Sequence, residues 1–139
     1  DEVFNLFTDA PGTLQLTAQG STRFGGFNVE VPSPGILTPS DVDLGASVSL
    51  AGQTVTWTPG NGDFVRINLR AGQESVECDA PDTGSLFVSG AALSVLASNN
   101  VDVIVSRVIE RGVLTDGPEG VVEIRFSSAV NLGNLPLTE

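Results

Sequence analysis

The chain has 139 residues and a net charge of -11, with six arginines as its only basic residues and no lysine, histidine, tyrosine or methionine. That length suits one domain of about 100 to 150 residues, and 40% hydrophobic content with a mean hydropathy of +0.18 excludes a globally disordered chain. So acidic a surface repels phosphate backbones and anionic lipid heads, which argues against nucleic-acid and membrane-surface partners. The missing histidine and lysine also remove Ser-His-Asp, Cys-His, His-metal, Schiff-base and Walker-type chemistry.

The first segment, Asp1 to Phe7, is apolar at Val3, Phe4, Leu6 and Phe7, and Asp9-Ala10-Pro11-Gly12 follows as a turn signal. Residues 1–12 therefore read as an N-terminal strand separate from a β-sandwich domain over 13–139. The strand either pairs with a neighbouring molecule as a donor strand or folds back as an edge of its own domain. The first of these is the expectation taken here, with Val3, Phe4, Leu6 and Phe7 as the interface. Thr13 to Gln19 turns Leu14, Leu16 and Ala18 to one face, and Thr22 to Val31 reads as a second strand interrupted at Gly25-Gly26. Pro32, Pro34, Gly35 and Pro39 make the next stretch an extended crossing.

The most legible stretch runs from Gln53 to Ala80. Val55 and Trp57 alternate with threonines, which puts Trp57 in the core, and Pro59-Gly60-Asn61-Gly62 ends that strand. Gly60-Asn61-Gly62 bears a superficial likeness to a phosphate loop, but a strand follows instead of a helix, so it reads as a turn. Val65, Ile67 and Leu69 then alternate with Arg66, Asn68 and Arg70. A two-residue loop at Ala71-Gly72 sets Val65 against Cys78 and Arg66 against Glu77; a four-residue loop sets Ile67 against Cys78 and Arg66 against Asp79. Both keep apolar against apolar. With no second cysteine, Cys78 reads as a small core hydrophobe.

After the loop at Asp79-Ala80-Pro81-Asp82-Thr83-Gly84, Ser85 to Val88 is extended, and Ser89 caps a short helical turn that puts Ala92, Leu93 and Leu96 on one side. Val101, Val103 and Val105 mark a central strand. The segment 116–120 is a turn, and the last strong strand, Val121 to Val130, turns Val122, Ile124 and Phe126 inward. Leu132, Leu135 and Leu137 lie in a tail suited to a sheet edge. About nine short strands with one short helical turn near residues 90–97 predict an all-β, antiparallel sandwich. The charge-free runs 44–62 and 83–101 are too interrupted by Gly, Ser, Thr, Asn and Pro to be transmembrane helices.

Thr54-Val55-Thr56-Trp57-Thr58-Pro59, Asp63 to Leu69, the hydroxyl-rich strand after it and the Leu93 turn before Val101 to Val108 resemble the strand order of fibronectin type III and other immunoglobulin-like sandwiches, over residues 47–130. Trp57-Thr58-Pro59-Gly60, Cys78, Asp82-Thr83-Gly84-Ser85 and Arg107 are also similar to domains of exported bacterial surface proteins and lipoproteins. The resemblance implies adhesion or structure, outside the cell after removal of a signal peptide, and residue 1 being aspartate reads the same way.

Carboxylates are the only acids and bases left. Asp41 with Asp43, or Asp79 with Asp82, would be the glycosidase-type pairs, but solvated loop residues are the plainer reading and no enzyme activity is expected. Calcium is the one cofactor considered, with Asp79, Asp82, Asp116 and Glu119 as the main candidate ligands and Asn61 with Asp63 as a further pair. The expected function is a structural subunit of an extracellular filament or surface layer, a homopolymer built by strand addition, with Arg23, Arg107 and Arg111 offsetting repulsion between copies. The alternative is a secreted carbohydrate- or ligand-binding adhesion module using Trp57 or exposed phenylalanines among Phe24, Phe27 and Phe87.

Overall fold

The computed structural model describes residues 4–10, 12–23, 25–116, 118 and 120–139, and for residues 4–10 the backbone alone. The chain is an all-β, sandwich-like fold in which nearly every strand pairing is antiparallel. Its centre is a long ribbon of two strands, β10 (Asn100–Leu114) and β11 (Val121–Thr138), paired from Leu114↔Val121 to Asn100↔Pro136.

Next to β10 lies β7 (Phe64–Ala71), then β8 (Glu74–Ala80), and the short β5 (Val48–Ser49) runs parallel to the end of β11, completing a sheet in the order β5-β11-β10-β7-β8. A second sheet, β4-β6-β9, is formed by β4 (Val42–Asp43), β6 (Gly52–Trp57) and β9 (Ser85–Ser89). Val55, Trp57 and Val88 of that sheet pack with Val65, Ile67, Leu69, Val101, Val103 and Val105 of the first. Period-2 alternation produces this core directly, because successive side chains of a strand point to opposite faces. The helical turn α1 (Gly90–Leu93) closes one end, with Ser89 Oγ accepting from Ala92 N–H and with Leu93 and Leu96 buried.

The far half of the ribbon carries a different partner. A third sheet, β1-β2-β3, consists of β1 (Phe4–Ala10), β2 (Thr13–Ala18) and β3 (Phe27–Pro32). A second core joins Ala18, Phe27 and Val31 of this sheet to Ile109, Ile124 and Phe126 of the ribbon, flanked by Leu14 and Leu16. The segment 33–38 crosses from β3 to a 3-10 turn at Pro39–Asp41 and on to β4.

Three expectations change. The β7–β8 hairpin takes the second register, Arg66↔Asp79 and Ile67↔Cys78, and the ladder continues to Ala71↔Glu74. That leaves Gly72 and Gln73 as the turn, with Gly72 at φ +66 in the first turn position, as in a II′ hairpin. The strand expected over 22–31 is confined to Phe27–Pro32. The leucine tail is a continuation of β11, made possible by a bulge: Val103 faces Gly133 whereas Ile104 faces Asn131, so Leu132 is the extra residue and Gly133 takes φ +84. Even positions point inward before the bulge and Leu135 and Leu137 after it, which is the phase change one inserted residue imposes.

The N-terminal segment follows the fold-back alternative. The backbone of β1 pairs with β2 of its own chain, from Phe4↔Ala18 to Phe7↔Gln15, with Ala10 facing Thr13 across a short connection. A connection that short holds the strand beside β2 at high effective concentration. Val3 and the side chains of Phe4, Leu6 and Phe7 lie outside the described residues.

Ile67 is fully buried at the middle of the first core. Ile67→Ala is expected to lower unfolding stability by about 2–5 kcal/mol, read as a shift in the denaturant midpoint at unchanged slope.

Candidate functional site

The chemically densest place in the molecule is the seam between the two cores. Along β10 the inward phase runs Val101, Val103, Val105, Arg107, Ile109, so Arg107 occupies an apolar position and is 3% exposed. A guanidinium there must find a full set of acceptors, because a buried unpaired charge is strongly destabilising.

Asp82, in the loop between β8 and β9, supplies the counter-charge. Its side chain is 3% exposed, and its Oδ2 accepts from Arg107 Nε at 2.7 Å. The Trp57 indole N–H donates to Oδ1 at 2.9 Å, and the backbone N–H groups of Gly62 and Gly60 donate to Oδ2 at 2.9 and 3.2 Å. Arg107 in turn donates to the carbonyls of Thr58 and Gly35. Burial alone would raise the Asp82 pKa; the Gly62 N–H, the Arg107 guanidinium and the Trp57 indole outweigh it and hold the carboxyl below its ordinary value.

The glycines leave room for this arrangement. A Cβ at Gly60 would lie 2.4 Å from Arg107 Cζ, and one at Gly62 would lie 2.7 Å from Arg107 Cγ. The Gly60 and Gly62 N–H groups thus converge on one anion. The anion is the protein's own carboxylate. Asn61 N–H also donates to the Pro34 carbonyl at 3.3 Å, so one ion pair ties the 33–38 crossing, the 58–62 loop and the 81–84 loop to β10. The cluster thereby fixes three loops against β10.

The other candidate residues are dispersed. Asp79 accepts a bidentate pair from Arg66, 2.8 Å from both Nε and Nη2, so Asp79 and Asp82, both candidate calcium ligands, serve different arginines. Asp63 accepts from Glu110 N–H and Arg111 at 2.9 and 2.7 Å. Asp41 caps the Pro39–Asp41 turn through Thr38, and Asp43 accepts from Gly45 N–H, which makes each a local turn device. Asp116 is exposed and Glu119 lies outside the described residues. Among the described residues no group of three or more Cys, Asp or Glu side chains is placed to hold a metal ion.

Trp57 is 4% exposed and Phe27 8%, whereas Phe87 is 62% exposed on β9, its ring lying over Gly52; Phe24 lies outside the described residues. Cys78 is half-buried against the first core, and burial, then the Asp79 and Glu77 charges, push its thiol pKa up. It behaves as a packing residue.

Sequence reasoning missed the Asp82–Arg107 pair. It placed Arg107 at the surface between subunits, although the phase of Val101, Val103 and Val105 already put residue 107 inward. The partner could not be found that way, since Asp82 sits in a loop without periodicity. No helix among the described residues is long and apolar enough to cross a membrane. No family model matches the chain, nor does any curated protein or solved structure.

Arg107→Leu is expected to destabilise the fold by about 3–5 kcal/mol at pH 7, because it strands a buried carboxylate. The Asp63, Asp79 and Asp82 pKa values are all lowered in the fold, so their stabilisation is present above the unfolded value of about 3.9 and is lost as pH falls through the folded values. Thermal midpoints between pH 7 and about pH 2 should therefore fall for the native chain, while the deficit of Arg107→Leu shrinks as Asp82 becomes neutral.

Proposed function

We propose that the chain is a non-catalytic structural subunit of an extracellular filament or surface layer, assembled with copies of itself through exchange of its N-terminal strand. The observation that supports this is the place of β1. It is the outermost strand of the β1-β2-β3 sheet, bonded to β2 on one side.

Every backbone bond that β1 makes to β2 is available to the β1 of a second copy, so exchange conserves hydrogen bonds and opposes only the short connection that favours folding back. Edge strands receive added strands because their N–H and C=O groups are laid out as a template. The competition between the two states is set by concentration, since intramolecular pairing starts with an effective concentration in the millimolar range. Crowding at a cell surface favours exchange. The buried ion pair fits a load-bearing part, because it fixes loops and presents no reactive group.

Phe87 favours a second reading, a carbohydrate- or ligand-binding adhesion module. An aromatic ring 62% exposed on a sheet edge is a surface on which a sugar ring can stack. Trp57, committed to Asp82, is withdrawn from that role.

Deleting residues 1–7 is expected to abolish fibres in electron micrographs while circular dichroism still reports a folded β protein; fibres of undiminished length after the deletion would refute strand exchange. Should the native chain bind immobilised glycans and Phe87→Ala lose that binding, with no fibres formed by either, the second reading replaces the first.

A further inference from the structure

The outer side of β11 is a long strand edge, open over most of its length among the described residues. Among the described residues no strand joins β11 on that side before Leu137, where β5 begins. From Val121 to Ala129 the segment is VVEIRFSSA, without proline or lysine to blunt the edge, and its two charges, Glu123 and Arg125, are of opposite sign.

The direction of its backbone groups follows from its neighbours. Asp63 N–H donates to the Val108 carbonyl, and Glu110 N–H donates to Asp63 Oδ2, so the even residues of β10 face away from β11. The odd ones, Ile109, Arg111 and Val113, therefore bond across to Phe126, Ile124 and Val122, because an antiparallel strand alternates its bonding side. That leaves the N–H and C=O groups of residues 121, 123, 125 and 127 on the free edge.

Charge then selects a partner and a register. The groove of about 420 Å³ on this part of the ribbon is lined by Glu110, Arg111, Gly112, Glu123, Ile124 and Arg125, two carboxylates and two guanidinium groups. In a chain of net charge -11 this face is charge-balanced, so it is where a second copy meets little repulsion. Two copies pairing antiparallel about a two-fold axis at residue 123 would set Glu123 against Glu123, and an axis at residue 125 would set Arg125 against Arg125. An axis at residue 126 leaves both facing uncharged residues. Only an axis at Ile124 places Glu123 opposite Arg125 of the other copy, twice, and that pairing falls on the residues whose backbone groups are free. It also continues the inward row of Val122, Ile124 and Phe126 across the junction.

We infer that the Val121–Ser127 edge of β11 is a self-complementary interface through which two copies of this chain join their sheets, with Glu123 of each facing Arg125 of the other. Glu123 has no hydrogen-bond or ion-pair partner within the chain among the described residues, and Arg125 bonds Glu110 through one oxygen, Oε1, so both have capacity left. The interface does not depend on strand exchange at β1.

Sedimentation velocity on the full chain tests the interface. The native protein should show a two-subunit species, and Glu123→Arg and Arg125→Glu, each alone, should weaken it by roughly tenfold to a hundredfold, since like charges then meet at both contacts. Mixing the two variants should restore a dimer, because every contact between them is again of opposite sign. That restoration also shows that both variants are folded. A native chain that stays monomeric overturns the inference, as does a dimer that persists in both variants or one that mixing fails to restore. The readout is the two-subunit species and not fibres, so it is separable from failure of β1 exchange.

Discussion

Because β10 and β11 pair along their whole common length with a single bulge, two hydrophobic cores are mounted on one continuous backbone ladder. The first half of the ribbon carries Val101, Val103 and Val105 against β4-β6-β9, and the second half carries Ile109, Ile124 and Phe126 against β1-β2-β3. Each three-stranded sheet packs its apolar side on the ribbon, as a small sheet needs a hydrophobic face for stability. The ribbon supplies that face to both, so a break in its register would expose both cores together.

Arg107 and Asp82 sit where the two cores meet, and that position explains the unusual burial of an ion pair. An aliphatic side chain at residue 107 would extend the apolar row without interruption, and the loops above it would have no common attachment. The guanidinium instead reaches the Gly35 and Thr58 carbonyls while its partner carboxylate gathers Gly60, Gly62 and Trp57. Buried pairs of this kind contribute less to net stability than their distances suggest, because desolvating two charges offsets most of the attraction. Here three loops and a strand are held in one geometry, among them the crossing that links the two halves.

The acidic composition acts at a different level. Thirteen residues away in sequence, Asp79 finds Arg66 on the outward face of the β7–β8 hairpin, and Asp63 finds Arg111. Arg66, Arg107, Arg111 and Arg125, four of the six arginines, are committed to carboxylates of their own chain. Most carboxylates among the described residues have no arginine partner, and the resulting field keeps copies apart except where local charge balances. The proposed surfaces for self-association lie on strand edges, where backbone bonds can act over short range against that repulsion.

By itself the sequence determined which residues face inward along the strands, the hairpin between β7 and β8 to within two registers, the Ser89 cap and the burial of Trp57. These are local matters: period-2 alternation, turn chemistry and capping act over a few residues. The register of that hairpin, the bulge at Leu132, the division into two cores, the joining of β1 to β2 and the meeting of Asp82 with Arg107 were decided only in the folded molecule. Each depends on segments far apart in the chain arriving side by side, and no periodicity in one segment records what the other will bring. Arg107 is the intermediate case: its inward phase was written in β10, but the carboxylate that makes the position tolerable came from a loop.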